Sequence, residues 1–330
     1  MDTQSAAPIF IVGCPRSGTT MLRNLLCAHP HLTFPGESHF IPEFYRGYGD
    51  PRDAREARRL AARILKVSWV RQWELPLEAD SFADCRSFRE VLCRLYEGWA
   101  RQENKPRWGD KTPGYVTEIP LLVKLFPGAR IIHIYRDGRD VALSWIRTRY
   151  HPHNVYTAAK MWKSWVSAGR RAGAALPRET YLEVCYEQLL QEPRATMQRV
   201  CEFVGEPFDE KVLRPSRRER SGPFRPVARR RQPLPAEIVS TNFGKWKTGM
   251  PDRDRAMFES VAGDLLETLG YETEGCIHHI SIAERLAWDL HQQFWYTVPR
   301  LRELHKQAYR TTILQVIWAK VRSRFKRTTP

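Results

Sequence analysis

The feature that most constrains this chain is Gly13-Cys14-Pro15-Arg16-Ser17-Gly18-Thr19-Thr20, which follows the apolar run Pro8 to Val12 and precedes Met21, Leu22, Leu25 and Leu26 at helical spacing. A strand, a glycine-bearing loop and a helix in that order predict the first unit of a parallel sheet. The glycines let backbone N–H groups converge on an anion, and the helix N-terminus adds the positive end of its dipole. Gly13 and Gly18 match the phosphate-loop spacing G-x-x-x-x-G-K-[ST], but Thr19 stands in the lysine position and Thr20 follows it. That lysine reaches the β- and γ-phosphates in nucleotide-dependent phosphoryl transfer, so a kinase becomes the weaker alternative. Arg16 instead offers a planar fork suited to phosphate or sulfuryl oxygens.

Further along the chain the same alternation returns. Leu32 to Phe34 reads as a short strand entering the turn Pro35-Gly36-Glu37-Ser38-His39, and residues 52–72 and 84–103 read as helices of an insertion over about 39–104. The motif Trp108-Gly109-Asp110-Lys111-Thr112-Pro113, a helix near 115–125, and the strand Ala129 to Tyr135 lead into Arg136-Asp137-Gly138-Arg139-Asp140 and another helix. A long helix around 155–176, a strand from Tyr181 to Tyr186 and a helix over 193–204 complete the alternation. The expected fold class is α/β: a P-loop-like parallel sheet flanked by helices, in a domain over 1–274. A helical extension over 275–330 follows, with Pro299 as a break.

The 330 residues suffice for one large domain, and the formal charge of +16 calls for an anionic partner: nucleic acid, an acidic lipid surface, or an anionic cofactor and substrate. Seven scattered cysteines without a Cys-x-x-Cys pair fit reduced thiols. The N-terminus resembles no secretory signal, and no run of about 18 apolar residues suggests a membrane span. These readings give a cytoplasmic protein. Eight arginines over 214–231 form a basic loop that guides an anionic acceptor, closes over a phosphate, or is simply solvated. In the tail, Leu314, Ile317, Trp318, Val321 and Phe325 share one helix face flanked by cations. That pattern fits packing, a homodimer contact, or peripheral contact with an anionic membrane.

Two segments carry a specific resemblance. IFIVGCPRSGTTMLRNLLCAHP resembles the 5′-phosphosulfate loop of the sulfotransferase superfamily, and RIIHIYRDGRDVALSW resembles its 3′-phosphate motif. With CYEQLL and GKWKTGMP, the likeness covers roughly residues 8–270 and is nearest to the tyrosylprotein and carbohydrate-type branch. It implies a donor, 3′-phosphoadenosine 5′-phosphosulfate, with 3′-phosphoadenosine 5′-phosphate (PAP) as product, and no metal. Arg16, Ser17, Gly18, Thr19 and Thr20 would hold the 5′-phosphate; Arg136 and Ser144 would hold the 3′-phosphate; Tyr186 and Lys245 match positions near the donor. Glu37 matches the family's glutamate base, with His39 as the alternative base. Lys111, together with Arg16, would neutralise the leaving phosphate. The acceptor would be a hydroxyl of a carbohydrate, lipid, small molecule or peptide tyrosine, and no nucleic-acid partner is expected. A basic nucleic-acid-binding protein is the rival reading from charge alone.

Overall fold

A computed structural model describes residues 7–146, 148, 152–214, 241–275, 279–294 and 297. Five parallel strands form one sheet in the order β2-β3-β1-β4-β5: β1 Ile9–Val12, β2 Leu32–Thr33, β3 Arg107–Lys111, β4 Arg130–Tyr135 and β5 Tyr181–Cys185. The central β1 is fully buried at all four positions, as expected for a strand covered on both faces. Ile11 lies in register with Lys111 of β3 and with Ile132 of β4. The strand order reverses beside β1, so the loops leaving β1, β3 and β4 emerge together at the carboxyl edge, where sheets of this type gather ligand groups.

Helices follow the strands as expected: α1 Thr19–Ala28 after β1, and α6 Gly138–Ile146 and α7 Val155–Ala174 after β4. α8 Tyr186–Gln191 and α9 Pro193–Val204 come after β5. The insertion between β2 and β3 holds α2 Ile41–Tyr48, α3 Ala54–Ile64 and α4 Phe88–Gln102, and α5 Ile119–Leu125 lies between β3 and β4. Side chains of Asp53 and Ser87 cap α3 and α4. One face of the sheet is covered by the insertion and α5, through Phe10, Tyr96, Trp108 and Phe126. The other is covered by α1, α8 and α9. Beyond them α10, Asp252–Thr268, packs with α6 and α7 around Trp162 and Phe258.

Four elements depart from the sequence expectation. Residues 107–111 form a strand, although Arg-Trp-Gly-Asp-Lys carries no apolar run. Its charged side chains are buried because each has a partner: Arg107 pairs with Glu206, Asp110 accepts from Tyr96 Oη at 2.7 Å, and Lys111 pairs with Glu37. The helix expected over 52–72 stops at Ile64 and resumes as a turn over Ser68–Arg71, while α2, whose sequence contains Pro42 and Gly47, was not foreseen. The helix expected near 115–125 is a 3₁₀ turn, Pro113–Thr117, followed by α5 with Pro120 in its first turn.

The extension is helical over 282–294, beside the start of α7, where Lys160 pairs with Asp289 at 3.2 Å. The apolar tail face from Leu314 to Phe325, Pro299, and the arginine-rich segment from 215 onward lie outside the described residues. Among the described residues no helix is long and apolar enough to cross a membrane.

Candidate functional site

The loop Gly13 to Gly18 turns so tightly that its glycines have no substitute. A Cβ on Gly13 would lie 2.2 Å from the backbone oxygen of Ile134 in β4, and one on Gly18 would lie 2.3 Å from the Tyr186 ring. Gly18 has φ 93°, and Arg16 itself sits in the left-handed region at φ 74°. Gly13 N–H donates to Pro113 C=O at 3.1 Å, fastening the loop to the segment after β3. α1 starts at Thr19 with no side-chain cap, which leaves its first-turn N–H groups for an anion. Ser17 is buried, and its hydroxyl has no partner among the described residues.

The second motif meets the first directly. Arg16 Nε donates to Ser144 Oγ at 2.9 Å, across 128 residues of chain, joining the β1 loop to α6. Arg136, at the end of β4, lies with its guanidinium 4.6 Å above the Tyr186 ring. Its Nη2 donates to Asp140 Oδ2 and to Asn242 C=O, each at 3.0 Å, and its buried Nε has no partner among the described residues. Asn242 Nδ2 also donates to Tyr186 Oη at 2.8 Å, so one residue holds both the arginine and the ring beneath it. Asp140 in turn accepts from Trp246 N–H at 2.9 Å, next to the exposed Lys245. Asp140 and Asn242 were not singled out from the sequence. The first could have been read from the i, i+4 spacing in Arg-Asp-Gly-Arg-Asp; the second has no local signal.

Burial shows that Arg136 to Arg139 is not a solvated turn. Arg139 is 1% exposed, pairs with Asp137 at 2.8 Å and Glu259 at 2.7 Å, and stacks 3.5 Å from the Trp246 ring centroid. It holds α6 against α10.

The third part comes from β2 and β3. Lys111 ends β3 and is 3% exposed; its Nζ donates to Glu37 Oε1 at 2.5 Å and to Thr20 Oγ1 at 3.2 Å. His39 Nε2 lies 2.7 Å from Glu37 Oε2, in the tautomer that donates. The turn is set by Ser38, whose N–H donates to Thr112 Oγ1 at 3.0 Å and whose hydroxyl lies 2.7 Å from Tyr115 Oη. Burial alone would push the Glu37 carboxyl up. The His39 hydrogen bond and the Lys111 ammonium outweigh it and hold the carboxyl at about 2.

The loop, Glu37, His39 and Lys111 gather on one side of this edge and Arg136, Ser144 and Tyr186 on the other, while Lys245 is placed near them only through the backbone of its neighbour Trp246. The arrangement can bind two anionic groups and hold a carboxylate and an ammonium between them. The His29, His31 and Glu206 group elsewhere in the fold spends both His29 ring nitrogens, on Pro207 C=O at 2.9 Å and His31 N–H at 3.1 Å.

Residues 8–210, well over half of the chain, match the profile of the Sulfotransferase family. Protein-tyrosine sulfotransferase A of Caenorhabditis elegans is 26% identical over 275 residues, covering 80% of this chain and 67% of that protein. The protein-tyrosine sulfotransferase of Drosophila melanogaster is 26% identical over 212 residues, covering 62% of this chain and 39% of the fly protein. The chain thus spans well under two thirds of that relative. Among solved structures, the sulfotransferase domain of a Synechococcus olefin synthase superposes with a TM-score of 0.57 at 24% identity, covering 82% of this chain and 98% of that one. The sulfotransferase domain of the curacin biosynthetic pathway gives 0.58 at 23% identity, covering 81% and 98%. These two likenesses concern the fold.

Proposed function

The chain belongs to the sulfotransferase family, and from that premise we propose that it transfers a sulfuryl group from 3′-phosphoadenosine 5′-phosphosulfate to an acceptor hydroxyl. The observation that carries this reading is the Arg16–Ser144 hydrogen bond, which makes one site of the two motifs that resemble the 5′- and 3′-phosphate elements. Ser17 Oγ and Arg136 Nε, buried and without a partner among the described residues, fit an anionic ligand at both ends.

When bound, the donor supplies a sulfuryl group whose S–O bond to the 5′-phosphate breaks as a bond to the acceptor oxygen forms. Glu37 takes the acceptor proton. Lys111 donates from Nζ to the leaving phosphate oxygen, with Arg16 sharing the charge. Lys111 holds Glu37 before the donor arrives. As the ammonium turns to the phosphate, Glu37 loses a group that depresses its pKa and becomes the stronger base.

Replacing Arg136 with alanine is expected to weaken PAP binding about 10- to 100-fold, the value of one or two charge-assisted hydrogen bonds. Titration calorimetry measures it, with 5′-AMP as the control ligand whose affinity should change little. Equal PAP affinity in the variant would remove Arg136 from the donor site. A nucleotide-dependent kinase predicts instead that ATP and magnesium support turnover while the phosphosulfate donor is inert.

The pH profile distinguishes the two candidate bases. Glu37 is held at about 2, below its ordinary 4.5, so it stays ionised as pH falls and its protonation cannot reduce kcat/KM until well below pH 4. The acid side of a kcat/KM profile should therefore be flat from pH 8 down to pH 5. A loss of activity within that range would remove Glu37 as the base and leave His39, its neighbour at 2.7 Å, as the candidate.

A further inference from the structure

Beside Glu37 the chain forms an open cleft of about 260 Å³, walled by Phe40, Phe44, Val67 and Trp69 and lined also by His39, which touches the Glu37 carboxylate. The His39 ring lies 5.1 Å from the Trp69 ring, and its Nε2 is the atom 2.7 Å from Glu37 Oε2. Phe40 and Phe44 meet edge to face at 5.4 Å. These walls come from α2 and the turn after α3, within the insertion, and the sheet contributes none of them.

On the sulfuryl-transfer reading above, we propose that this cleft is the acceptor site and that it takes a small neutral phenol. Its volume falls below the roughly 300–1,000 Å³ of sites that bury a drug-sized ligand, so it suits a single ring. The aromatic walls favour another ring by offset or edge contact. A sugar needs hydrogen bonds for several hydroxyls. Of the cleft's polar lining, Ser38 Oγ is held by Tyr115 Oη and His39 Nε2 by Glu37, which leaves Glu43 and Ser68 to serve them all. An acidic tyrosine peptide needs cations around the ring. Here Glu43 is exposed at the cleft, and Arg46 of the same helix is paired with Glu118 at 2.6 Å. In the step itself the phenol O–H gives its proton to Glu37 and the phenolate oxygen forms the new O–S bond. The S–O bond to the donor phosphate breaks, with its electron pair leaving on that phosphate.

The test uses the full chain with three probes: 4-methylphenol, methyl glucoside, and a peptide with tyrosine between aspartates. Saturation-transfer NMR reads binding without any donor, and labelled phosphosulfate reads transfer. 4-Methylphenol should bind alone and be sulfated with kcat/KM at least tenfold above the other two. V67W, which fills the cleft, should abolish its NMR contacts, and W69A, at an exposed position, should weaken them about 2- to 10-fold. PAP affinity should be unchanged in both variants. Unaltered 4-methylphenol binding in V67W and W69A, or preferred transfer to the glucoside or the acidic peptide, would overturn the assignment. Should PAP fail to bind while 4-methylphenol contacts persist and vanish in V67W, the sulfuryl-transfer reading fails and the phenol site stands.

Discussion

Replacing Glu37 with glutamine should lower kcat about 10²- to 10⁴-fold, the usual contribution of a positioned general base. PAP affinity and folding should change little. Glutamine keeps an amide oxygen to accept from Lys111 Nζ, which is 3% exposed and would otherwise be stranded. Alanine at the same position would confound the result, because an unpaired buried ammonium destabilises the site as well as removing the base. A single-turnover measurement with donor saturating separates the chemical step from binding. If E37Q keeps nearly the wild-type rate, Glu37 is not the base, and a His39→Asn variant should then carry the loss.

The largest effect on stability should come from Arg139→Met. Arg139 is 1% exposed, and removing its charge leaves Asp137 and Glu259 buried against each other's side of the same gap. Breaking a buried ion pair by deleting one partner costs about 3–5 kcal/mol, and this arginine serves two carboxylates and the face of Trp246. The urea midpoint should fall accordingly at constant m-value. Adding Asp137→Asn to Arg139→Met should recover part of the loss, since one uncompensated charge is removed. A midpoint shift below that of an ordinary surface substitution, about 0.5 kcal/mol, would mean that the network contributes little.

Much of the site was legible because its signals are local. The glycine spacing at Gly13 and Gly18, the apolar run before it and the helical repeat after it determine β1, the loop and α1 without reference to the rest of the chain. The same holds for β4 and the turn at Arg136. Strand β3 was not legible as a strand, because its charged residues are buried by partners far away in sequence: Lys111 by Glu37, Asp110 by Tyr96, Arg107 by Glu206. Periodicity reports which side chains avoid water, and it misreads a residue that avoids water through an ion pair. Arg139 is buried in the same way, by Asp137 and by Glu259 far along the chain. Asn242 follows a basic segment with no pattern of its own, and only the packing of that stretch against Arg136 gives it a role.

The origin of the walls has a consequence for descent. Groups assigned to the donor sit at the ends of adjacent strands, where a shift in register would disturb the whole sheet. The cleft beside Glu37 is bounded by α2 and a short turn, both in an insertion that can change length and composition without altering strand pairing. With the acceptor proposed in this cleft, substitutions that change its walls leave strand pairing and the two anion motifs untouched. Relatives that keep both anion motifs are free to diverge in what they modify, and substitutions at Phe44, Val67 and Trp69 are where such divergence would first be written.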